Sequence, residues 1–251
     1  MNPRISIVCP AIRVDNWQGV YDSICGSTSI PFELILISPY DLPVSLKGRN
    51  NVKHIVDWGN PVRCSNIGLQ HCDGELITVT ADDGQFLPDM LDKAIESFDA
   101  MPPHPKNVLV AKYYEHDWTL QPESYYLLNL AYPRTPNTYD DWLIFNLVIT
   151  KTAYLKQLGG WDARFETPAF AHADMAIRAQ RDDCITKLYG NPLIFCQHGQ
   201  PDHGPIERGH VDHDDPLYRS IHNDPNDIGR INIDINNWQQ APARWTRRFG
   251  E

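Results

Sequence analysis

Nowhere in the 251 residues does an apolar run approach the ~20 needed to cross a bilayer, and no signal-type apolar region precedes the strand pattern that opens at Arg4. The expectation is a chain without a membrane span or export signal. Basic residues are scarce: Lys and Arg number 22 against 32 Asp and Glu, a net charge of −10. That balance disfavours broad attraction to nucleic-acid backbones or anionic lipid and leaves room only for a local basic pocket, such as an edge of Arg244, Arg247 and Arg248. No Cys-x-x-Cys pair occurs. Cys9, Cys25, Cys64, Cys72, Cys184 and Cys196 are scattered, which argues for reduced thiols in a cytoplasmic setting. Internal repeats and low-complexity tracts are also missing.

What remains is ordinary globular material. Hydrophobic residues make up 42% and charged residues 22%, enough apolar surface for a full core, and the length suits one large domain or a core with an appendage. Arg4 to Cys9 is a short β-branched run stopped by Pro10, the pattern of a strand buried on both faces. Asp15 and Asn16 can cap a helix through Cys25, and Phe32 to Ile37 reads as the next strand, so a parallel crossover is expected. Asn60 and Pro61 supply an N-cap and first turn for a helix that Asp73-Gly74 closes, followed by a strand over Glu75 to Thr80. A helix from near Pro88 ends at Met101-Pro102-Pro103. Strands are expected over Val108 to Tyr114, Leu143 to Ile149 and Leu193 to Cys196, and helices over Lys151 to Leu158 and Ala171 to Arg181. This alternation predicts an α/β domain with a mostly parallel sheet. Beyond His198, many Asp, Asn, His and Pro residues indicate loops with one terminal helix, folded back so that Trp238, Trp245 and Phe249 are not left in water.

Chemistry is most concentrated at Thr80-Ala81-Asp82-Asp83-Gly84, an acidic pair placed directly after an apolar strand. Open α/β sheets bind ligands at the carboxyl ends of their strands. Two adjacent carboxylates repel, and a hard cation such as Mn2+ or Mg2+ bridging to diphosphate oxygens removes that repulsion. The competing reading is a solvated Asp-Asp-Gly turn.

The order of segments adds to this pair. Ile5 to Pro10, then Arg63-x-x-Asn66-x-Gly68, then Gly74-Glu75-Leu76-Ile77 and Asp82-Asp83 resembles the nucleotide-sugar half of GT-A glycosyltransferases, particularly the large family 2. The resemblance implies a GT-A (Rossmann-like) domain over residues 1–200, with a donor half to about 115 and an acceptor half over about 116–200, and a cover over 201–251. It implies that Pro10, Ala11 and Arg13 meet the nucleoside, that Asp41 accepts a uracil N–H, and that Arg63, Asn66 and Asp82 contact the donor. Asp83 would bind the metal with His198, for which His203, His210 and His213 are competing assignments. Ala81 departs from a strict Asp-x-Asp pattern.

Downstream, Gly159-Gly160-Trp161-Asp162-x-x-Phe165 followed by Asp174 to Arg178 resembles the acceptor side of the same family. Trp142, Trp161 and Asp162 become acceptor candidates; Trp118, Tyr125, Tyr126 and Tyr139 lie in the same aromatic stretch, with Asp140-Asp141 beside them. Where relatives carry an acidic pair to deprotonate the acceptor, this chain has Ala171-His172, so His172 or Asp174 is the base. A capping Asp174 and a buried, hydrogen-bonded His172 are the structural alternatives.

The expected activity is metal-dependent transfer of a sugar from a nucleotide-diphosphate donor, a UDP-sugar first, to a hydroxyl of a glycan, a small molecule or a modified nucleic-acid base. Two alternatives stay open. A nucleotidyltransferase would normally carry a glycine-rich phosphate loop, which Pro10-Ala11-Ile12-Arg13 lacks. A non-catalytic nucleotide-sugar-binding module would explain the missing acidic pair.

Overall fold

The computed structural model describes residues 2–122, 126–127, 142–197, 204–223 and 229–251. Its centre is a mixed sheet built around strands too apolar to face water on either side. In β1 (Ile5–Pro10) and β2 (Phe32–Ile37) alternate side chains serve two cores: Val8, Ile35 and Ile37 face one, and Ile7, Cys9, Leu34 and Leu36 the other. Parallel pairing continues through β3 (Val52–Ile55) on one side and β4 (Leu76–Val79) on the other. The sheet is extended by β5 (Gly84–Phe86), β6 (Asn107–Tyr114), β7 (Leu120–Gln121), β10 (Val148–Lys151) and β11 (Ile185–Cys196), in the order β3-β2-β1-β4-β10-β6-β11-β5 with β7 beside β6. β10 runs antiparallel to both neighbours, and β6 and β11 are parallel. A separate ribbon pairs β8 (Tyr126–Leu127) with β9 (Trp142–Leu143).

Helices cover both faces. α1 (Trp17–Ser27) and α3 (Met90–Asp99) pack over the Ile7 side; α2 (Pro61–Gln70), α4 (Thr152–Leu158) and α5 (Pro168–Arg181) pack over the Val8 side. α2 starts as expected, with Pro61 in its first turn and the Asn60 Oδ1 accepting the Arg63 backbone N–H at 2.8 Å. The expected α/β architecture, a mostly parallel sheet flanked by helices, is what forms. No helix among the described residues is long and apolar enough to cross a membrane.

Three local expectations change. The run Leu143 to Ile149 is not one strand: the chain bends at Asn146 and Leu147, so β9 leaves the main sheet and only β10 joins it. β3 was not anticipated because its four residues are all half-buried and show no alternation. β5 is only three residues long, too short to carry a period. The region after His198 is less loop-rich than expected. It forms α6 (Gly204–Gly209), a π-helical turn (His210–Asp214) and α7 (Asp215–Asn223), because Asp214, Tyr218, Ile221 and His222 recur at helical spacing and face inward. With just two apolar residues on that stripe, hydrophobicity alone does not reveal it. Trp245 is buried and Trp238 packs against the core beneath α2, so the tail does fold back.

Gly159 ends α4 with φ +89°, and a Cβ there would lie 2.1 Å from the Ile233 carbonyl oxygen. Gly159→Ala should therefore destabilise the protein by more than the ~1–2 kcal/mol that a left-handed alanine costs by itself, visible as a lowered melting temperature.

Candidate active site

The chain passes from β1 to β2 on one side and places β4 on the other, so the carboxyl ends of β1 and β4 flank a topological switch point. A cavity of about 340 Å³ opens there, within the roughly 300–1,000 Å³ usual for small-molecule sites. Its walls come from the loop after β1, the Ala81–Asp83 turn after β4, the start of α5 and the segment over residues 245–249.

Asp82 organises the first wall. Its carboxylate is buried and accepts the backbone N–H of Ile12 at 2.6 Å, the backbone N–H of Arg13, and the Trp17 indole N–H at 3.3 Å, while the Arg13 guanidinium closes on the other oxygen at 2.6 Å. These donors fold residues 11–13 into a cradle around the carboxylate. Asp83 lies at the cavity wall with 7% exposure, and one of its oxygens is 3.6 Å from the Arg13 guanidinium. The pair's charge is felt by two nearby thiols: burial first, then Asp82 and Asp83, pushes the Cys9 thiol well up, and burial with Asp83 and Glu115 does the same to Cys196, which lines the cavity.

At the β2 and β3 end the wall includes Pro10, Ile37, Pro39, Asp57 and Gly59. Asp57 accepts the Gly59 N–H at 2.8 Å and forms a two-point pair with Arg63, Nε and Nη2 each 3.0 Å from an oxygen. It stands just beyond β3 as Asp82 stands beyond β4. That strand-end position was the available signal for it, hidden because β3 itself was not recognised.

Several expected donor contacts are placed elsewhere. Asp41 is exposed on the loop beyond Pro39 and does not line the cavity. Arg63 turns away from it, donating to the carbonyls of Trp238 at 2.8 Å and Ala241 at 3.1 Å, with the Trp238 ring 4.9 Å from its guanidinium. Asn66 is fully buried and spends its amide on the Trp161 backbone, donating to its carbonyl at 2.7 Å and accepting its N–H at 3.0 Å. Both residues hold distant chain segments against α2. Pro10, Ala11, Arg13 and Asp82 do line the cavity.

The two candidate bases separate clearly. His172 lines the cavity from α5, with Nδ1 3.2 Å from the Phe145 carbonyl and its ring 5.7 Å from that of Trp161. Burial lowers its pKa, only partly opposed by the backbone of Phe145 and Asn146, so the imidazole is neutral near pH 7. Asp174 lies in the interior away from the cavity. Its carboxylate takes Arg178 Nε at 2.7 Å, Arg230 Nη2 at 2.9 Å and lies 3.3 Å from His222 Nε2. Burial opposes ionisation, but Arg178, His222 and Arg230 outweigh it and hold this carboxyl well below the usual range. A carboxylate so committed is a poor proton acceptor, and its earlier alternative as a base gives way to a structural one.

The three acceptor candidates are also interior. Trp161 is buried in the core, Trp142 packs there beneath Arg181, and Asp162 is paired with Arg164 at 2.7 Å and with Arg230. None lines the cavity. His198 and His203 lie outside the described residues, as do Tyr125, Tyr139, Asp140 and Asp141. His210 stacks on Phe170 at 4.5 Å, and His213 meets Asp214 at 2.8 Å; neither reaches the cavity. Among the described residues no group of three or more His, Cys, Asp or Glu side chains could by itself hold a metal ion. The hard carboxylate of Asp83 stands at the wall, a ligand type that fits Mg2+ or Mn2+ when phosphate oxygens and water complete the shell.

Asp174→Ala should leave the buried Arg178 guanidinium without its carboxylate partner and cost roughly 3–5 kcal/mol. Because the folded pKa of Asp174 is depressed, its contribution is fully present above the ordinary aspartate value of about 3.9 and is lost as pH falls further. The stability gap between wild type and variant, read by denaturant melts, should shrink on acidification below that value.

No protein-family model matches the chain, and no curated protein matches it. Solved structures do. TarS from S. aureus, residues 1–349 in complex with UDP, aligns at a TM-score of 0.58 and 15% identity over 87% of this chain and 69% of that one. The same fragment in complex with UDP-GlcNAc gives 0.60 and 18% over 80% of this chain and 60% of that one. A longer TarS structure gives 0.57 and 17% over 82% of this chain, which spans only 38% of it. At these identities the likeness is one of fold, and that fold is of the GT-A type.

Proposed function

We propose that this chain is a glycosyltransferase of the family 2 kind, moving a sugar from a nucleotide-diphosphate donor, a UDP-sugar, to a hydroxyl acceptor. The observation that carries the reading is the cavity at the switch point between β1 and β4, into which the Pro10–Arg13 loop, Asp57, the Asp82-Asp83 pair and His172 all converge. The UDP and UDP-GlcNAc complexes among the structural neighbours support the choice of donor.

In this reading the nucleoside lies against the ends of β1 and β2, with Asp57 as the acceptor for a base N–H in place of Asp41. Asp82 fixes the loop that receives it, through the four donors described above. Arg13 is already drawn to the acidic pair at 2.6 and 3.6 Å, so a diphosphate would need further positive charge. Asp83 would hold a divalent cation, Mn2+ or Mg2+, which would supply that charge and offset the charge that builds on the departing diphosphate.

His172 takes the proton. Its Nδ1–H donates to the Phe145 carbonyl, which leaves Nε2 with a lone pair for an acceptor hydroxyl. As the acceptor oxygen bonds to the anomeric carbon, the bond from that carbon to the diphosphate oxygen breaks, and the hydroxyl proton passes to His172. Burial keeps the ring unprotonated, so it is ready to accept at neutral pH.

Incubation with UDP-sugars and Mn2+, with released UDP as the readout, tests this. Wild type should release UDP, EDTA should suppress it, and Asp83→Asn should lower turnover by at least roughly 100-fold, as for loss of a charge-stabilising group. His172→Ala should lower kcat by about 10²–10⁴-fold. Because burial lowers the His172 pKa below its ordinary 6.5, activity should hold through neutral pH and fall only on an acid limb below that value. Release of pyrophosphate from nucleotide substrates, or an Asp83→Asn variant with normal turnover, would overturn the reading.

A further inference from the structure

One wall of the cavity has no role in the proposed transfer. It is made by Trp245, Arg248 and Phe249, the last two from the short helix α8 (Thr246–Phe249). The segment is fastened at several points. The Trp245 N–H donates to the Trp58 carbonyl at 2.8 Å, and Trp58 and Arg244 form an isolated parallel bridge. The Trp245 indole N–H and Arg247 Nε both donate to Glu166 Oε2, at 3.2 and 2.7 Å. The Phe249 ring meets the Trp58 ring edge-on at 5.1 Å. Trp58 stands between Asp57 and Gly59, which are themselves cavity residues. The segment is therefore tied to the end of the cavity where the ends of β2 and β3 meet.

Resting on the transferase reading, we infer that residues 244–249 form part of the nucleotide site, with Arg248 binding the diphosphate and Phe249 packing beside the base. Charge is the first reason. Among the described residues, Arg13 and Arg248 are the cations that line the cavity, and Arg13 is held by Asp82. A guanidinium is also the side chain best matched to paired phosphate oxygens. Arg244 donates to the Phe249 and Gly250 carbonyls at 2.7 and 3.0 Å, and Arg247 to Glu166, and neither lines the cavity. Arg248 lies 5.7 Å from the Trp245 ring, and that buried indole backs it from the core side.

Calorimetric titration of the full chain with UDP and with uridine, both in saturating Mn2+, separates the possibilities. Arg248→Ala should weaken UDP binding by roughly 10- to 100-fold, as for loss of a charge-assisted hydrogen bond, and leave uridine binding unchanged. Arg248→Lys, which keeps the charge but not the planar fork, should recover only part of the UDP affinity that Arg248→Ala loses, and Phe249→Ala should weaken UDP and uridine alike. Unchanged UDP binding by Arg248→Ala overturns the inference. So does an equal loss of UDP and uridine in that variant, which would mark a packing role. A wild-type chain that binds no UDP at all defeats the transferase reading itself, a different outcome from wild-type binding that Arg248→Ala leaves intact.

Discussion

The site depends on one buried carboxylate. Asp82, at the end of β4, collects two backbone N–H groups, an indole and a guanidinium from the chain that leaves β1 and enters α1. Those bonds, with the Ala11 N–H donated to the Ile37 carbonyl at 2.9 Å, hold the loop over residues 11–13 in place. A charge so deep in a protein persists only when its lone pairs are met by donors, and here four donors supplied by an adjacent strand's loop do this. The arrangement binds two otherwise separate strand ends into one rigid lip, and Asp83 is carried on it.

A second carboxylate repeats the logic at lower burial. Asp57 sits beyond β3 and pairs with Arg63, whose remaining donors reach the carbonyls of Trp238 and Ala241. A third centre, Asp174 with Arg178, Arg230 and His222, joins α5 to the returning chain near residue 230 and to α7. Each centre ties together segments far apart in sequence: Asp82 joins the ends of β1 and β4, Arg63 of the Asp57 pair reaches Trp238 and Ala241, and Asp174 reaches His222 and Arg230. The acidic excess of the chain is thus partly interior, and the cavity is framed by it.

How far this could be read in advance depended on the length of the interaction. β1, β2 and β4 were legible because strands buried on both faces must be continuous apolar runs, and Asn60-Pro61 marked the start of α2 because capping is local. The position of Asp82-Asp83 followed from the strand before it. What was not legible was the direction taken by polar side chains on α2 and α5. Arg63, Asn66 and Asp174 occupy positions that a motif would give to a ligand, yet Trp238, Trp161 and Arg230 claim them. Those partners lie up to the far end of the chain, and no periodicity announces them. Trp142, Trp161 and Asp162 likewise pack or pair in the interior with partners that no periodicity announces.

Trp58 and Arg244 lie far apart in the sequence and meet in an isolated parallel bridge beside the cavity. Contacts between such remote positions form late, after the entropy of closing a long loop has been overcome. During vectorial synthesis the β1–β4 crevice can take shape while this closing piece is still inside the ribosome. The nascent protein would then hold a half-built pocket, and competence would arrive only when residues 244–249 dock against Trp58.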